Sequence, residues 1–358
     1  MMPKPGAPQR SRREPPRGTR QMPQRPDERP TDRHPARTKK KKRRRPGRIL
    51  LSIFLVILLL LGGILVYLDF SINRVKALDD YPGRPAEAEG TNWLIVGSDS
   101  RKGLDAEDSK RLSTGDEAAA GGQRTDTMML LHIPDNDTKP TLVSLLRDSN
   151  VEIPGHGTSK INAAYSLGGA PLLAQTVEQN TGLHIDHYAE IGFGGFANVV
   201  DAIGGVEMCI DEKMQDEKTG VTIPAGCQEL EGPQALGFVR MRYSSATPRS
   251  DFDRVQNQRK FVGAMVSEMA SPATFLNPFR LFPLLADAPE ALTIDEGDHI
   301  HHLIGLAWAM RGISNGGVTS TTVPTDSSGA YWDEGAASQL FEALRTDQPV
   351  PQGALVTE

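Results

Sequence analysis

Arginine and aspartate fall along this chain in a pattern that suits phosphate chemistry. Asp99 and Arg101 follow one apolar run, Arg124 and Asp126 open the next, and Arg147 and Asp148 close a third. Arg240 and Arg242 come later, followed by Asp251, Asp253 and Arg254. A guanidinium is a planar fork that holds two phosphate oxygens at once. Carboxylates beside it suit Mg²⁺ shared with phosphate oxygens. Taken singly, an Arg or Asp in a loop is ordinarily solvated or in an ion pair of small value. Placed together at the ends of successive strands, where open α/β sheets build their sites, they describe a diphosphate site. Other candidates are weaker. Gly155-x-Gly157-x-x-Lys160 lacks the full spacing of a phosphate loop and reads as a turn. Residues 96–100 do not make a Gly-x-Ser-x-Gly nucleophile elbow. His299, His301 and His302 have no further ligand at useful spacing and read as a surface cluster at a helix start.

These residues need a scaffold that brings strand ends together. Apolar runs predict strands over 92–96, 127–133, 141–146, 206–210 and 318–323, with a short extended piece at 188–191. Helical spacing predicts helices over 161–181 (with a break at Gly168-Gly169), 193–202, 254–269, 300–313 and 336–344. A short helix over 232–236 is expected to feed a strand over 237–243, which would put Arg240 and Arg242 on one face. Two guanidiniums on one face repel unless an anion lies between them. Alternating strands and helices predict an α/β fold with a sheet covered on both sides.

Charge divides the 358 residues into an arm and a body. Residues 1–48 carry 18 Lys and Arg against 4 Asp and Glu, and the remainder 22 against 41. The arm, rich in Pro and Arg and lacking aromatic residues, is expected to be disordered. Residues 49–68 are 20 uncharged residues, enough to span a bilayer core. The run KKKKRRR at 39–45 sits just before them, which predicts a cytoplasmic N-terminus and an external body. The apolar core is too long for a cleaved signal peptide and no A-x-A site follows, so it reads as an uncleaved anchor. Residues 69–90 are expected to be a stalk, 91–347 the domain and 348–358 a tail. An acidic body argues against nucleic acid as a partner. The basic run suits anionic membrane lipids instead. Outside the cell, Cys209 and Cys227 are expected to form a disulfide, worth about 3 kcal/mol on the chain-entropy model.

The strings now in view resemble the LytR-CpsA-Psr family of cell-wall proteins. They are NWLIVGSDSR at 92–101, RTDTMMLLHI at 124–133 and LLRDSNVEIPGHGTSKINAAYSLGG at 145–169. HYAEIGFGGFANVVDAIGGVEM at 187–208, LEGPQALGFVRMRY at 230–243 and DFDRVQNQRKF at 251–261 continue in order. The resemblance implies an α/β/α sandwich with a central mixed sheet and an apolar groove for a lipid tail. It implies metal carboxylates at Asp99 and Asp126, with Mg²⁺ or Mn²⁺ as the ion. It implies pyrophosphate-binding arginines at Arg124, Arg147, Arg240, Arg242 and Arg254, with Gln258 one helical turn on. Arg101 matches the first motif, and Lys160 and Asn162 match a Lys-Ile-Asn motif. Leu146 departs from the family's usual proline, and the polar, Gly/Ala-rich insert 102–122, expected to be a mobile loop, is a second departure.

Together these imply a phosphotransferase. It would move a glycan phosphate from a polyprenyl-pyrophosphate donor to a peptidoglycan acceptor, with Arg124 and Arg254 stabilising charge and Asp251 or Asp253 handling the acceptor proton. Composition of the actinobacterial type tilts the donor towards arabinogalactan over teichoic acid. A non-catalytic lipid or glycan binder would use the same arginines, and a membrane-linked regulator has only the basic arm in its favour.

Overall fold

The structure, a computed structural model, describes residues 46–101, 104, 106–114, 124–216, 220–242, 244, 247 and 251–356. The chain divides between Phe54 and Leu55 into two compact units. Helix α1 (Pro46–Ser71) is apolar throughout, and its mean hydropathy reaches 3.2. Among the described residues it is the one helix long and apolar enough to cross a membrane. Its side chains are exposed from Ile49 to Tyr67, as a lipid-facing helix requires.

Beyond α1 the chain builds a seven-stranded mixed sheet. Its strands are β1 (Asn73–Val75), β2 (Thr91–Ser98), β3 (Thr125–Ile133), β4 (Thr141–Leu145), β7 (His187–Ile191), β12 (Leu292–Asp295) and β13 (Thr319–Thr322). The spatial order is β1-β12-β7-β2-β3-β4-β13. β2 and β3 run antiparallel, as do β3 and β4, while β7 lies parallel to β2. The end of β2, the start of β3 and the end of β4 therefore share one edge of the sheet. Two hairpins lie outside it, β5 (Asn150–Ile153) with β6 (Gly157–Lys160), and β9 (Met214–Asp216) with β10 (Val221–Ile223). Gly155 and Gly157 take positive φ in the β5–β6 turn, so the Gly155-x-Gly157 segment is the turn expected.

Both faces of the sheet are covered, which is why its central strands are apolar at nearly every position. Leu94, Val96, Met128, Leu130, Val143 and Leu145 face α3 (Ile161–Thr181) and α10 (Glu334–Arg345). Trp93, Met129, Leu131 and Leu142 face the other way, towards α6 (Asp251–Met269) and α9 (Ile300–Met310). The result is the expected α/β/α sandwich. A second core joins α4 (Phe193–Ala202), α5 (Gly232–Arg240), α6 and α8 (Pro278–Ala291) to β8 (Val206–Ile210) and β11 (Gly226–Leu230). Cys209 and Cys227 face each other across β8 and β11 and are joined as a disulfide. The remaining helices are α2 (Ala106–Arg111) and α7 (Pro272–Leu276).

Several expectations need correction. The predicted strand over 237–243 does not form, because α5 runs on to Arg240 and the chain then leaves it in extended conformation at Met241. Pro233 sits in the first turn, and the Gln234 side chain accepts the Glu231 main-chain N–H at 3.2 Å, a helix-start arrangement that propagates through Val239. The expected stalk contributes β1 to the sheet edge. The expected tail is tied down, with Ala354 buried and the Val356 N–H donating to Thr321. The insert contains α2, and its residues 102, 103, 105 and 115–122 lie outside the described residues. The break in α3 is where expected: Gly168 and Gly169 leave helical conformation, and Gly169 takes φ 67°.

Candidate active site

The shared edge of β2, β3 and β4 gathers the charged residues. Asp99 follows β2, and its N–H donates to the Arg124 carbonyl at 2.9 Å. The Arg124 N–H donates back to Asp99 Oδ1 at 2.6 Å. This reciprocal pair extends the β2–β3 ladder by one step and fixes the Asp99 carboxylate beside the second residue of β3, Asp126. Arg147 follows β4 and forms a close ion pair with Asp126. Its Nε lies 3.5 Å from Asp148, which in turn bonds Lys160 Nζ at 2.8 Å. Lys160 ends the β5–β6 hairpin, and the Asn162 N–H donates to the Arg147 carbonyl at 3.3 Å. Asp99, Asp126, Arg147, Lys160 and Asn162 are thus one connected structure built from three strand ends and a hairpin.

Charges within it are felt mutually. Burial raises the Asp99 carboxyl above its ordinary range; the Arg124 amide opposes this, and the Asp126 charge adds to it. Burial also pushes Asp148 up, but the Lys160 hydrogen bond and the charges of Arg147, Lys160 and Arg242 outweigh it and hold the group low. Arg240 is pushed down by burial, with Asp126 and Asp99 drawing it up and Arg101 repelling it. Arg101 is thus felt at Asp99, Arg240 feels both Asp99 and Asp126, and Arg242 is felt at Asp148. Arg240 and Arg242 arrive there from the end of α5 and the segment after it. The Arg240 guanidinium stacks over Phe193, 4.5 Å from the ring centre, and the Arg242 N–H donates to Asp216 at 3.2 Å.

Helix α6 supplies the rest. Asp253, Arg254 and Gln258 are all buried in its first two turns. The Gln258 side chain donates to the Val239 carbonyl at 3.0 Å, next to Arg240, so it joins α6 to α5. Arg254 lies one turn before it on the same helix face. The side chain of Asp251 lies outside the described residues.

Glu190 in β7 is buried and accepts hydrogen bonds from the hydroxyls of Tyr165 at 2.8 Å and Tyr188 at 2.7 Å. Glu190 pairs with Val96 in the β2–β7 register, three residues before Asp99. The Asp99 charge also raises the Tyr165 hydroxyl, after burial and Glu190. The triad is a buried, hydrogen-bonded polar cluster within reach of the Asp99 charge. Period-two spacing put Glu190 on a face with Tyr188, but nothing in the sequence pointed to Tyr165.

Two neighbouring carboxylates, one of them raised by burial and by the other's charge, set among arginines, fit a hard divalent cation bound beside an anionic ligand. Asp99 and Asp126 would be its oxygen donors.

The family model described as LytR_cpsA_psr family matches residues 70–349. The chain belongs to the LytR-CpsA-Psr family. A probable cell wall biosynthesis protein, LcpB of Corynebacterium glutamicum, is 50% identical over 289 residues, covering 79% of this chain and 67% of the relative. A polyisoprenyl-teichoic acid–peptidoglycan teichoic acid transferase, TagU of Enterococcus faecalis, is 34% identical over 177 residues, or 49% of this chain and 57% of the relative. Among solved structures, a LytR-Csp2A-Psr enzyme from Actinomyces oris superposes with a TM-score of 0.59 at 20% identity, covering 77% of this chain and 96% of that one. That likeness establishes the fold. The chain thus spans about two thirds of the corynebacterial family member and less of the enterococcal one.

Proposed function

We propose that this member of the LytR-CpsA-Psr family is a membrane-anchored phosphotransferase. It moves a glycan phosphate from a polyprenyl-pyrophosphate carrier onto peptidoglycan outside the cell. The observation that carries this reading is the convergence of Asp99 and Asp126 with Arg101, Arg124, Arg147 and Arg240 at one sheet edge. The enterococcal relative's name, which joins a polyisoprenyl-linked donor to peptidoglycan, supports the same chemistry. Wall polysaccharide of arabinogalactan type is the donor favoured by composition, with teichoic-acid type the alternative.

The arginines grip the diphosphate and take up the negative charge that grows as an acceptor hydroxyl approaches the sugar-side phosphorus. The new P–O bond forms to that hydroxyl as the bond to the bridging oxygen breaks. Polyprenyl phosphate leaves with the bond's electrons. The hydroxyl proton passes to a carboxylate, for which α6 offers Asp251 and Asp253. Mg²⁺ held by Asp99 and Asp126 would neutralise phosphate charge. Arg240 is steadied by Phe193, the first residue of α4. Helix α8 packs on α4 and, with α7, exposes Phe275, Leu276, Phe279 and Phe282, an apolar surface suited to a polyprenyl chain.

The test uses the full-length protein in detergent with a short polyprenyl pyrophosphate, following phosphate release. Release should require Mg²⁺ and fall by about 100-fold or more in Asp126→Ala, the scale for losing one charge-stabilising group. A folded Asp126→Ala protein with undiminished release would remove these carboxylates from the chemistry. Tight lipid binding by wild type without any release, even with a sugar-bearing donor and acceptor, would favour a carrier.

A further inference from the structure

We propose that His187, Asp298 and His302 form a binding site for a divalent transition-metal ion, with zinc the best fit to their donors. One ligand atom from each lies within 4.8 Å of the other two. The three come from separate places: His187 opens β7, Asp298 sits in the turn after β12, and His302 lies in the first turn of α9. Nδ1 of His187 and Nδ1 of His302 both meet the same oxygen, Oδ1 of Asp298, the latter at 3.2 Å. The two imidazole rings are 4.4 Å apart.

The donors are held in place from behind, as metal ligands ordinarily are. The His299 main-chain N–H donates to His302 Nδ1 at 3.2 Å, a bond that an ion on this nitrogen would replace. Asp298 is buried, and its second oxygen accepts the Tyr188 N–H at 3.1 Å. The His187 ring lies against the buried Trp93 ring, 4.5 Å between centres. Both histidines keep partial exposure, at 19% and 27%, which leaves a way in.

Two imidazoles and one carboxylate suit zinc, with a water in the fourth position. They do not suit Mg²⁺, which takes oxygen donors. The site is separate from the arginine cluster. His187 pairs with Trp93 at the start of β2, whereas Asp99 follows its end, about 20 Å away at strand rise. Its surroundings suggest what the ion does. Asp69, in the last turn of α1, accepts from His299 Nδ1 at 3.1 Å and from the Ile300 N–H at 2.7 Å. Arg74 bonds Asp69 at 3.1 Å and reaches the Asp298 carbonyl at 3.4 Å. An ion at this point locks the first turn of α9 to β7, and through Asp69 to the end of α1.

The experiment takes full-length protein in detergent, strips it with chelator, and titrates it with Co²⁺ and then Zn²⁺. One equivalent of cobalt should bind with the strong visible absorption of four-coordinate geometry, and zinc but not excess Mg²⁺ should displace it. His187→Ala and His302→Ala should each weaken binding by more than the roughly 10–100-fold that outer partners of a metal site cost. Asp126→Ala should retain the site. A second measurement covers variants that fail to fold. In wild type, zinc should protect His187 and His302 from diethyl pyrocarbonate while the exposed His156 stays reactive. No stoichiometric uptake by wild type, uptake indifferent to both substitutions, or no protection by zinc would each overturn the proposal.

Discussion

At the scale of the residue, Asp99 sits in an environment unlike that of an exposed carboxylate. Its carboxyl is raised first by burial and then by Asp126, against the Arg124 amide and two arginine charges. A raised carboxyl binds its proton more tightly in the folded protein than in the unfolded chain. The stability this confers is full below the unfolded value near 3.8 and is lost as pH rises through the higher folded value. At pH 7, without divalent metal, ionised Asp99 therefore opposes folding. Asp99→Asn should raise the thermal unfolding midpoint in chelator at pH 7 while abolishing transfer, and Mg²⁺ should narrow the gap by stabilising wild type alone. A less stable Asp99→Asn protein would contradict the electrostatic account. Asp99 and Asp126 were legible from sequence because the residues around them form contiguous strings. Arg240 and Arg242 were placed at the site for a mistaken reason: they reach it from a helix end, not from one face of a strand.

Among the elements, the central strands and helices α9 and α10 were readable, and the two helices between α6 and α9, α7 and α8, were not. β2, β3 and β4 are continuous apolar runs because both faces are buried, a signal that survives without alternation. Helices α7 and α8 carry Pro272, Pro278, Pro283 and Pro289, which read as breakers. Pro272 and Pro278 are in first-turn positions, where a missing N–H costs nothing, and Ser271 and Asn277 cap the two starts. How closely α8 meets α4 was also invisible, since it depends on a contact 96 residues distant. A Cβ added at Gly195 in α4 would come within 2.7 Å of the Ala291 carbonyl oxygen and 2.8 Å of its Cα. Alanine ordinarily gains about 1 kcal/mol over glycine inside a helix. Overpacking against backbone costs about 1–3 kcal/mol. Gly195→Ala should therefore destabilise by up to about 2 kcal/mol on these scales. Gly305 in α9 has nothing within 4 Å of its would-be Cβ, so Gly305→Ala should stabilise by up to about 1 kcal/mol. Denaturant unfolding of the two variants tests the pair, and equal shifts would mean that α4 and α8 do not pack closely at Gly195.

For the whole molecule, the decisive property is which side of the membrane the body occupies. The amino-acid sequence bears on it through its charge asymmetry. KKKKRRR at 39–45 precedes α1, and no Lys or Arg occurs between Ile49 and Ile72. Translocating that run would oppose the rule that basic flanks stay inside. The Cys209–Cys227 disulfide agrees with an oxidising outer compartment, since thiols stay reduced in the cytoplasm. In intact cells, a membrane-impermeant maleimide should label Ser71→Cys at the end of α1 but label Thr38→Cys only after lysis. Cys209 and Cys227 should stay unlabelled until reductant is added. Replacing all seven residues of the basic run with Gln should give a mixed population, with some Thr38→Cys becoming reactive from outside. Labelling of Thr38→Cys in intact wild-type-tailed cells would reverse the orientation, and would leave the arginine cluster without access to a wall acceptor.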